Sequence, residues 1–255
     1  MSRTCILILS CDKYYELWDF VTFSYSKYWP ECSMNKFILT NYKKYNTNDF
    51  TSIEVGSDIS WSSNLLIALK ILQNDYDRVL LSFDDLLLKF EINNNDFVKF
   101  HDLFIQYNMD CLKFIKHHGF NRSKFGEVSL IDQNVLYRTT CVFSLWKINV
   151  LEKILDKKEN AWEFEKNGTK RSGLFYRFYT VNRSFFLYDN VVIAGKVHRK
   201  FVRDVNFSSF EYLEMMSLPI YLKFLLKLIF FSIFVNTLPY RLQLILLRII
   251  KKLNG

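Results

Sequence analysis

Two adjacent carboxylates, Asp84 and Asp85, close the apolar run Val79-Leu-Leu-Ser-Phe83 and are followed at once by Leu86-Leu-Leu88. Carboxylates are costly to take out of water, so a pair in this setting calls for a cation, a hydrogen-bond network or solvent. A hard divalent ion, Mn2+ or Mg2+, shared between carboxylate and phosphate oxygens is one such partner. A solvated turn is the other reading of the same residues. Asp12 raises a similar question, because Ser10-Cys-Asp12-Lys-Tyr14 also follows a short apolar run. A polar side chain there can hold a base or ribose, with Tyr14 or Tyr15 stacked on the base, or it can cap the next helix.

Glu159, Glu163 and Glu165 offer three carboxylates within seven residues, beside Trp162 and Phe164. An aromatic wall packs a sugar's apolar face and lowers the local dielectric, which raises a carboxylate toward the range of a useful general base. A helix start with acids favoured by the dipole accounts for the same residues. The four histidines (His101, His117, His118 and His198) fit no HExxH spacing, which disfavours a zinc enzyme. His198, within Gly195-Lys-Val-His-Arg-Lys200, reads as part of a surface basic cluster. GxGxxG, GxxxxGK[ST] and GxSxG are all absent, which argues against dinucleotide oxidoreductases, P-loop NTPases and α/β-hydrolases.

These groups need elements to position them. Cys5–Ser10, Lys36–Thr40 and Arg78–Phe83 read as strands, and Tyr14–Tyr28 and Ser62–Asn74 have helical spacing, with Leu65, Leu66, Leu69 and Leu72 along one face and Trp61-Ser62-Ser63 at the start. This β-α-β-α-β rhythm predicts an open, largely parallel sheet with helices on both faces, in which ligands gather beyond the carboxyl ends of the strands. Further on, Asp96–Tyr107 reads as helix and Cys111–Lys116 as strand. Val135–Trp146 reads as a strand running into a helix over Lys147–Leu155. Gly168–Arg171 reads as a loop, and Phe185–Tyr188 with Val191–Ala194 as a closing strand pair.

The 255 residues, half of them hydrophobic, are enough for one large domain, or one domain and an appendage, with a substantial core. Five widely spaced cysteines without a CxxC pair argue against a disulfide scaffold and for a reducing compartment. The apolar run Cys5–Ser10 is too short for a secretory signal and fits a buried first strand. The formal charge of +8 is unevenly spread. From Met215 onward there are six basic residues and no acid, leaving 28 basic against 26 acidic residues before it. With a near-neutral body and no basic-aromatic RNA motif, a nucleic-acid partner is not expected.

Leu218–Val235 and Leu238–Leu253 are rich in Leu, Ile and Phe, with Lys223, Lys227, Arg241 and Arg248 interspersed. The uncharged stretch between Lys227 and Arg241 is only 13 residues, short of the roughly 20 a spanning helix needs. Two amphipathic helices lying among lipid headgroups fit better, with a hairpin packed on the body or a partner as the alternative. The chain accordingly reads as a body, 1–210, and a basic amphipathic tail, 211–255.

Several of these pieces, taken in order, resemble bacterial nucleotide-sugar glycosyltransferases of the GT-A fold, of the kind found in O-antigen and capsule biosynthesis. They are Ile6-Leu-Ile-Leu-Ser-Cys-Asp12-Lys-Tyr14 with Leu17-Trp18, Lys27-Tyr-Trp-Pro30, Ile38-Leu-Thr-Asn41 and Trp61-Ser-Ser-Asn64-Leu-Leu, then Asp75 to Asp85, Tyr137-Arg138, Leu145-Trp146 and Glu159 to Glu165. The resemblance implies an α/β fold with a Rossmann-like mixed sheet flanked by helices. It implies Asp84 and Asp85 as the metal and diphosphate motif, binding Mn2+ or Mg2+, and Ser10, Asp12, Tyr14, Trp61 and Asn64 near the nucleotide. One of Glu165, Glu159 and Glu163 would stand near the acceptor hydroxyl, a base role that would mean inversion. The acids are adjacent where the family has Asp-x-Asp, and on extended backbone neighbouring side chains point to opposite faces. A lipid-linked acceptor at the cytoplasmic face of the bacterial inner membrane would give the basic tail its purpose. A non-catalytic peripheral membrane or partner-binding protein is the competing class.

Overall fold

A computed structural model describes residues 3–117, 124–133, 135–193, 195–198, 201 and 213–226. The chain divides into two compact units, Met1–Val191 and Val192–Gly255. The expected boundary near residue 210 lies among residues outside the description, as do His118, Lys227, Arg241 and Arg248.

In the first unit β1 (Thr4–Leu9) leads through a 3-10 turn, Asp12–Leu17, into α1 (Trp18–Tyr28), then β2 (Lys36–Thr40), β3 (Phe50–Glu54), α2 (Trp61–Leu72), β4 (Arg78–Phe83) and β5 (Leu86–Leu88). It continues with α3 (Asn94–Gln106), β6 (Cys111–Lys113), β7 (Lys124–Phe125), β8 (Val128–Leu130), β9 (Ser144–Lys147), α4 (Ile148–Ile154) and α5 (Ala161–Arg171). β10 (Phe178–Val181) and β11 (Tyr188–Asn190) complete it. Nine strands form one sheet in the order β3-β2-β1-β4-β9-β6-β10-β8-β7, and β5 pairs with β11 in a separate ribbon.

Residue alternation along the strands builds a core on each face of the sheet. Ile6 and Ile8 of β1 join Ile38, Leu80, Leu112 and Leu145 beneath α1 and α3, where Trp18, Val21, Tyr25, Phe97, Phe100 and Phe104 are buried. Cys5, Leu7 and Leu9 face the other way with Val79, Leu81, Cys111 and Trp146, beneath Leu65 and Leu69 of α2, Leu151 of α4 and Phe164 of α5. Both faces of the central strands are therefore apolar, which is why they read as unbroken hydrophobic runs.

The sheet is mixed, as the resemblance implies, where the strand–helix rhythm alone predicted a largely parallel one. β1, β2, β3 and β4 are parallel, but β9 enters antiparallel between β4 and β6. Of the expected strand at 135–146 only Ser144–Trp146 pairs, with Lys147 closing β9, because the chain before it turns twice through left-handed backbone, at Tyr137 (φ 57°) and Phe143 (φ 40°). The helix expected from Tyr14 becomes α-helical only at Trp18, Tyr14 having left helical geometry. α2 is capped by Ser60, whose Oγ accepts from the Ser63 N–H at 3.0 Å. Gly168–Arg171 belongs to α5, and a Cβ on Gly168 would lie 3.0 Å from Thr139 Oγ1, so glycine there permits a close approach. Tyr188–Asn190 pairs with β5 and not with the residues after it. β3 and β10 are strands beyond those expected.

In the second unit β12 (Val192–Ile193) pairs antiparallel with β13 (Lys196–Val197), which pairs parallel with β14 (Glu214–Met215). Residues 218–226 are helical, with Leu218, Leu222, Leu226 and Lys223 exposed, and His198 sits edge-on to Tyr221 at 5.0 Å. Among the described residues no helix is long and apolar enough to cross a membrane.

Candidate functional site

β1 and β4 are adjacent, yet the chain leaves β1 toward β2 and β3 on one side and returns to β4 on the other. Such a reversal opens a crevice beyond the carboxyl ends of the two strands, where open α/β sheets hold their ligands. Leu9 and Phe83, the last residues of β1 and β4, are register partners, so Ser10 and Asp84 emerge side by side.

Asp84 is 6% exposed and accepts a hydrogen bond from the Ser10 hydroxyl, which in turn accepts from Trp18 Nε1 at 2.7 Å. Asp84 and Asp85 form the turn between β4 and β5, which removes the opposition that extended backbone would impose. Burial and then the neighbouring charge of Asp85 raise Asp84 well above the ordinary carboxylate range, against the lowering effect of Ser10 and two backbone N–H groups. Burial raises Asp85 to about 6. Tyr14, half-buried, has its phenol raised first by burial and then by Asp84, which places it in the field of the pair.

Asp12 does not cap its own helix. Its Oδ1 accepts from the Asn41 N–H at 2.9 Å, and Oδ2 from the N–H groups of Tyr42 at 2.9 Å and Lys43 at 3.1 Å, while its own N–H donates to Asn41 Oδ1. It thus fixes the segment after β2 at the rim of the crevice. Lys43 Nζ lies 3.6 Å from the centre of the Tyr15 ring.

Trp61 links the two acidic clusters. Its ring stacks on Phe83, next to Asp84, at 6.5 Å and packs against Phe164, next to Glu165, at 5.6 Å. Asn64 is buried; its Nδ2 donates to Asp58 Oδ1 at 2.7 Å, and its Oδ1 has no hydrogen-bond partner among the described residues.

The three glutamates separate in space and role. Glu159 is buried in a two-point ion pair with Arg171 and accepts from Asn167 Nδ2 at 2.9 Å. Glu163 is exposed and completes a capping box with Asn160, both bonds at 3.0 Å. Glu165 is half-buried; its Oε1 accepts from Thr140 Oγ1 at 2.6 Å and the Cys141 N–H at 3.2 Å, while Oε2 meets no donor among the described residues. Tyr188, which no local pattern marks, pairs with Leu88 of β5 and packs on Phe143 at 5.2 Å, and its phenol is raised by burial and then by the charges of Asp85 and Glu165. The fold therefore gathers Ser10, Tyr14, Trp61, Asp84, Asp85 and Glu165 about one edge of the sheet, with Asp12 at its rim and Glu159 and Glu163 engaged in holding α5.

A buried carboxylate, Asp84, whose proton affinity is raised by burial and by its half-buried neighbour Asp85 fits a divalent cation whose remaining ligands are water and phosphate. Among the described residues no three His, Cys, Asp or Glu side chains converge on one metal position, so a cation held by Asp84 and Asp85 would need further ligands from water or phosphate. Surface hollows of about 330 Å³ near Asp110 and Arg177 and about 360 Å³ between β3 and α2 contain none of these residues.

No protein-family model matches this chain, and no curated protein matches it. Solved structures do. TarS from S. aureus, residues 1–349, superposes with a TM-score of 0.50 at 13% identity, covering 72% of this chain and 59% of that one, so the chain spans less than two thirds of that neighbour's length. A UTP-bound UGPase from Acinetobacter baumannii gives 0.49 at 10% identity (74% and 88% covered), and an apo UDP-glucose pyrophosphorylase 0.49 at 8% (74% and 93%). At such identities the likeness is one of fold: the chain is a mixed α/β protein with a large mixed sheet flanked by helices, similar in fold to TarS.

Proposed function

We propose that the chain is a glycosyltransferase that moves a sugar from a nucleotide-sugar donor to a lipid-linked glycan acceptor in bacterial surface polysaccharide synthesis. The observation that carries this reading is buried Asp84, held by Ser10 where the paired ends of β1 and β4 meet, with Trp61 packed on both Phe83 and Phe164, the chain neighbours of Asp84 and Glu165.

Asp85, with Asp84 in support, would hold Mn2+ or Mg2+, which when bound supplies positive charge to the diphosphate oxygens. Ser10, itself fixed by Trp18, orients Asp84. Asp12 holds residues 41–43 beside the nucleotide, with Tyr14, Trp61 and Asn64 lining its place. Glu165 accepts the proton of the attacking acceptor hydroxyl at Oε2, because Oε1 is occupied by Thr140 and Cys141. A base acting in this way gives inversion at the anomeric carbon.

Calorimetry of the full chain with UDP-glucose, UDP-N-acetylglucosamine, GDP-mannose and dTDP-glucose, each with Mn2+, tests the donor site. Binding that requires the cation and is lost in Asp85→Ala supports the reading. No heat with any donor, and none changed by the substitution, favours a non-catalytic membrane or partner-binding protein.

The exposed Leu218, Leu222, Leu226 and Lys223 and the wholly basic charge that follows support a peripheral place on the cytoplasmic face of the inner membrane. Flotation with anionic but not neutral vesicles, lost when Lys223, Lys227, Arg241 and Arg248 become Glu, is the expected result. Flotation unchanged by those substitutions would remove the membrane part of the proposal.

A further inference from the structure

β6 ends in Lys113, whose ammonium is turned into the protein at 5% exposure. Across the sheet Lys113 stands beside Ser144 of β9 and Thr180 of β10, both fully buried. Its Nζ donates to the Tyr137 carbonyl at 2.6 Å and meets His117 Nδ1 at 3.1 Å. None of the ion pairs among the described residues includes it. A buried cation without a carboxylate in contact is poorly placed to stabilise a fold, and an apolar residue of similar volume would serve packing better.

What the ammonium does hold is the segment 137–141. This segment carries the left-handed Tyr137, a conformation that costs energy in a residue with a side chain and persists only where its surroundings enforce it. Arg138, fully buried, anchors it from one side through Ser172 O at 2.6 Å, Ser172 Oγ at 2.8 Å and Phe175 O at 2.8 Å. Ser144, the cross-strand neighbour of Lys113, donates to the Thr140 carbonyl at 2.8 Å. The two groups so placed, Thr140 Oγ1 and the Cys141 N–H, are the donors that grip Glu165 Oε1.

We infer that Lys113 is a positioning residue for Glu165: by fixing the Tyr137 carbonyl it sets the segment whose Thr140 and Cys141 orient that carboxylate. This rests on the reading of Glu165 as the base. Burial lowers the Lys113 amine to about 8, against the opposing charge of Glu165, so the grip is charge-assisted at neutral pH and weakens above about pH 8. The titratable or charged groups facing it are Cys111 on its own strand, His117 beyond it, Tyr137 and Arg138 on the segment, and Glu165 on α5. Ser144 and Thr180 on the flanking strands are neutral.

Hydrogen exchange of the full-length protein tests this. In Lys113→Met the amides of residues 138–143 are expected to exchange about tenfold faster, while β1 and β4 stay as protected as before. The wild-type protein should show the same local loosening above pH 8, after correction for the intrinsic pH dependence of exchange. Lys113→Arg, which stays charged, should abolish that pH response, and this comparison decides the matter if the Met variant does not fold. Unchanged protection of 138–143 in Lys113→Met, or loosening spread evenly over the sheet, overturns the inference. Turnover separates it from the reading beneath it. If Glu165→Gln leaves nucleotide-sugar turnover intact, the base assignment fails while the exchange result stands. If Glu165→Gln is inactive and Lys113→Met keeps a wild-type kcat, the positioning role fails alone.

Discussion

Ser10 and Asp84, 74 residues apart in the chain, meet one residue beyond the paired ends of β1 and β4, where the serine hydroxyl donates to the buried carboxylate. The parallel register of the two strands brings them level, and Trp18 Nε1 holds the hydroxyl in place at 2.7 Å. Ser10→Ala leaves a buried indole N–H and a buried carboxylate each short of a partner. A loss of about 1–3 kcal/mol in chemical denaturation is expected. Ser10→Thr, which keeps the hydroxyl, should recover most of it.

The acid pair makes the metal-free protein sensitive to pH. Asp85 binds its proton more tightly folded than unfolded, with a value of about 6 against 3.8. The stabilisation this proton gives is fully present below about pH 4 and is lost as pH rises through about 6, amounting to about 3 kcal/mol. Asp84, raised as well, acts in the same direction. Unfolding curves from pH 4 to 7.5 should therefore show wild type falling relative to Asp85→Asn over that window. Mn2+ at pH 7 should restore the wild type and leave the variant unmoved. Parallel curves for the two proteins would show that Asp85 is solvated in the folded state.

Asp12 satisfies three successive backbone N–H groups of residues 41–43. Asp12→Ala should free all three and cost about 1–3 kcal/mol, with faster amide exchange confined to that segment. Asp12→Asn, which keeps one acceptor oxygen, should cost less. Exchange at 41–43 that stays at the wild-type rate in Asp12→Ala would show that the segment is held by other contacts.

Glu159 and Glu165, six residues apart on and just before one helix, should respond to mutation in opposite ways. Removing the partner of Glu159 by Arg171→Met leaves a buried charge uncompensated and is expected to cost about 3–5 kcal/mol. Glu165→Gln should leave stability within about 1 kcal/mol of wild type yet lower nucleotide-sugar turnover by about 10²-fold or more. The paired measurement is the melting temperature and the rate of nucleoside diphosphate release for each variant. Turnover lost through Glu159 and kept in Glu165→Gln would exchange their roles.

Much of the scaffold was legible in the sequence. β2 and β4 span the residues expected around their apolar runs, and α2 follows its leucine stripe, because burial on one or both faces imposes a period that local composition records. The acid pair at the end of β4 was legible for the same reason, since charge at the end of a buried run is conspicuous. β9 between β4 and β6, the left-handed turns at Tyr137 and Phe143, and the passage of α5 through Gly168 were not legible. Each is settled by contacts with residues far along the chain, and no short window contains them.

The sequence by itself determined that the chain alternates strands and helices, that both faces of its central strands are apolar, and which acids stand at strand ends. Tertiary structure alone decided what those acids meet. It set Asp84 against Ser10, gave Asp12 the backbone of residues 41–43, committed Glu159 to Arg171 and Glu163 to a helix cap, and gave Glu165 Oε1 to Thr140 and Cys141. The reason is physical: periodicity is a property of neighbours in sequence, whereas the state of a carboxylate depends on burial and on charges and donors supplied by other elements.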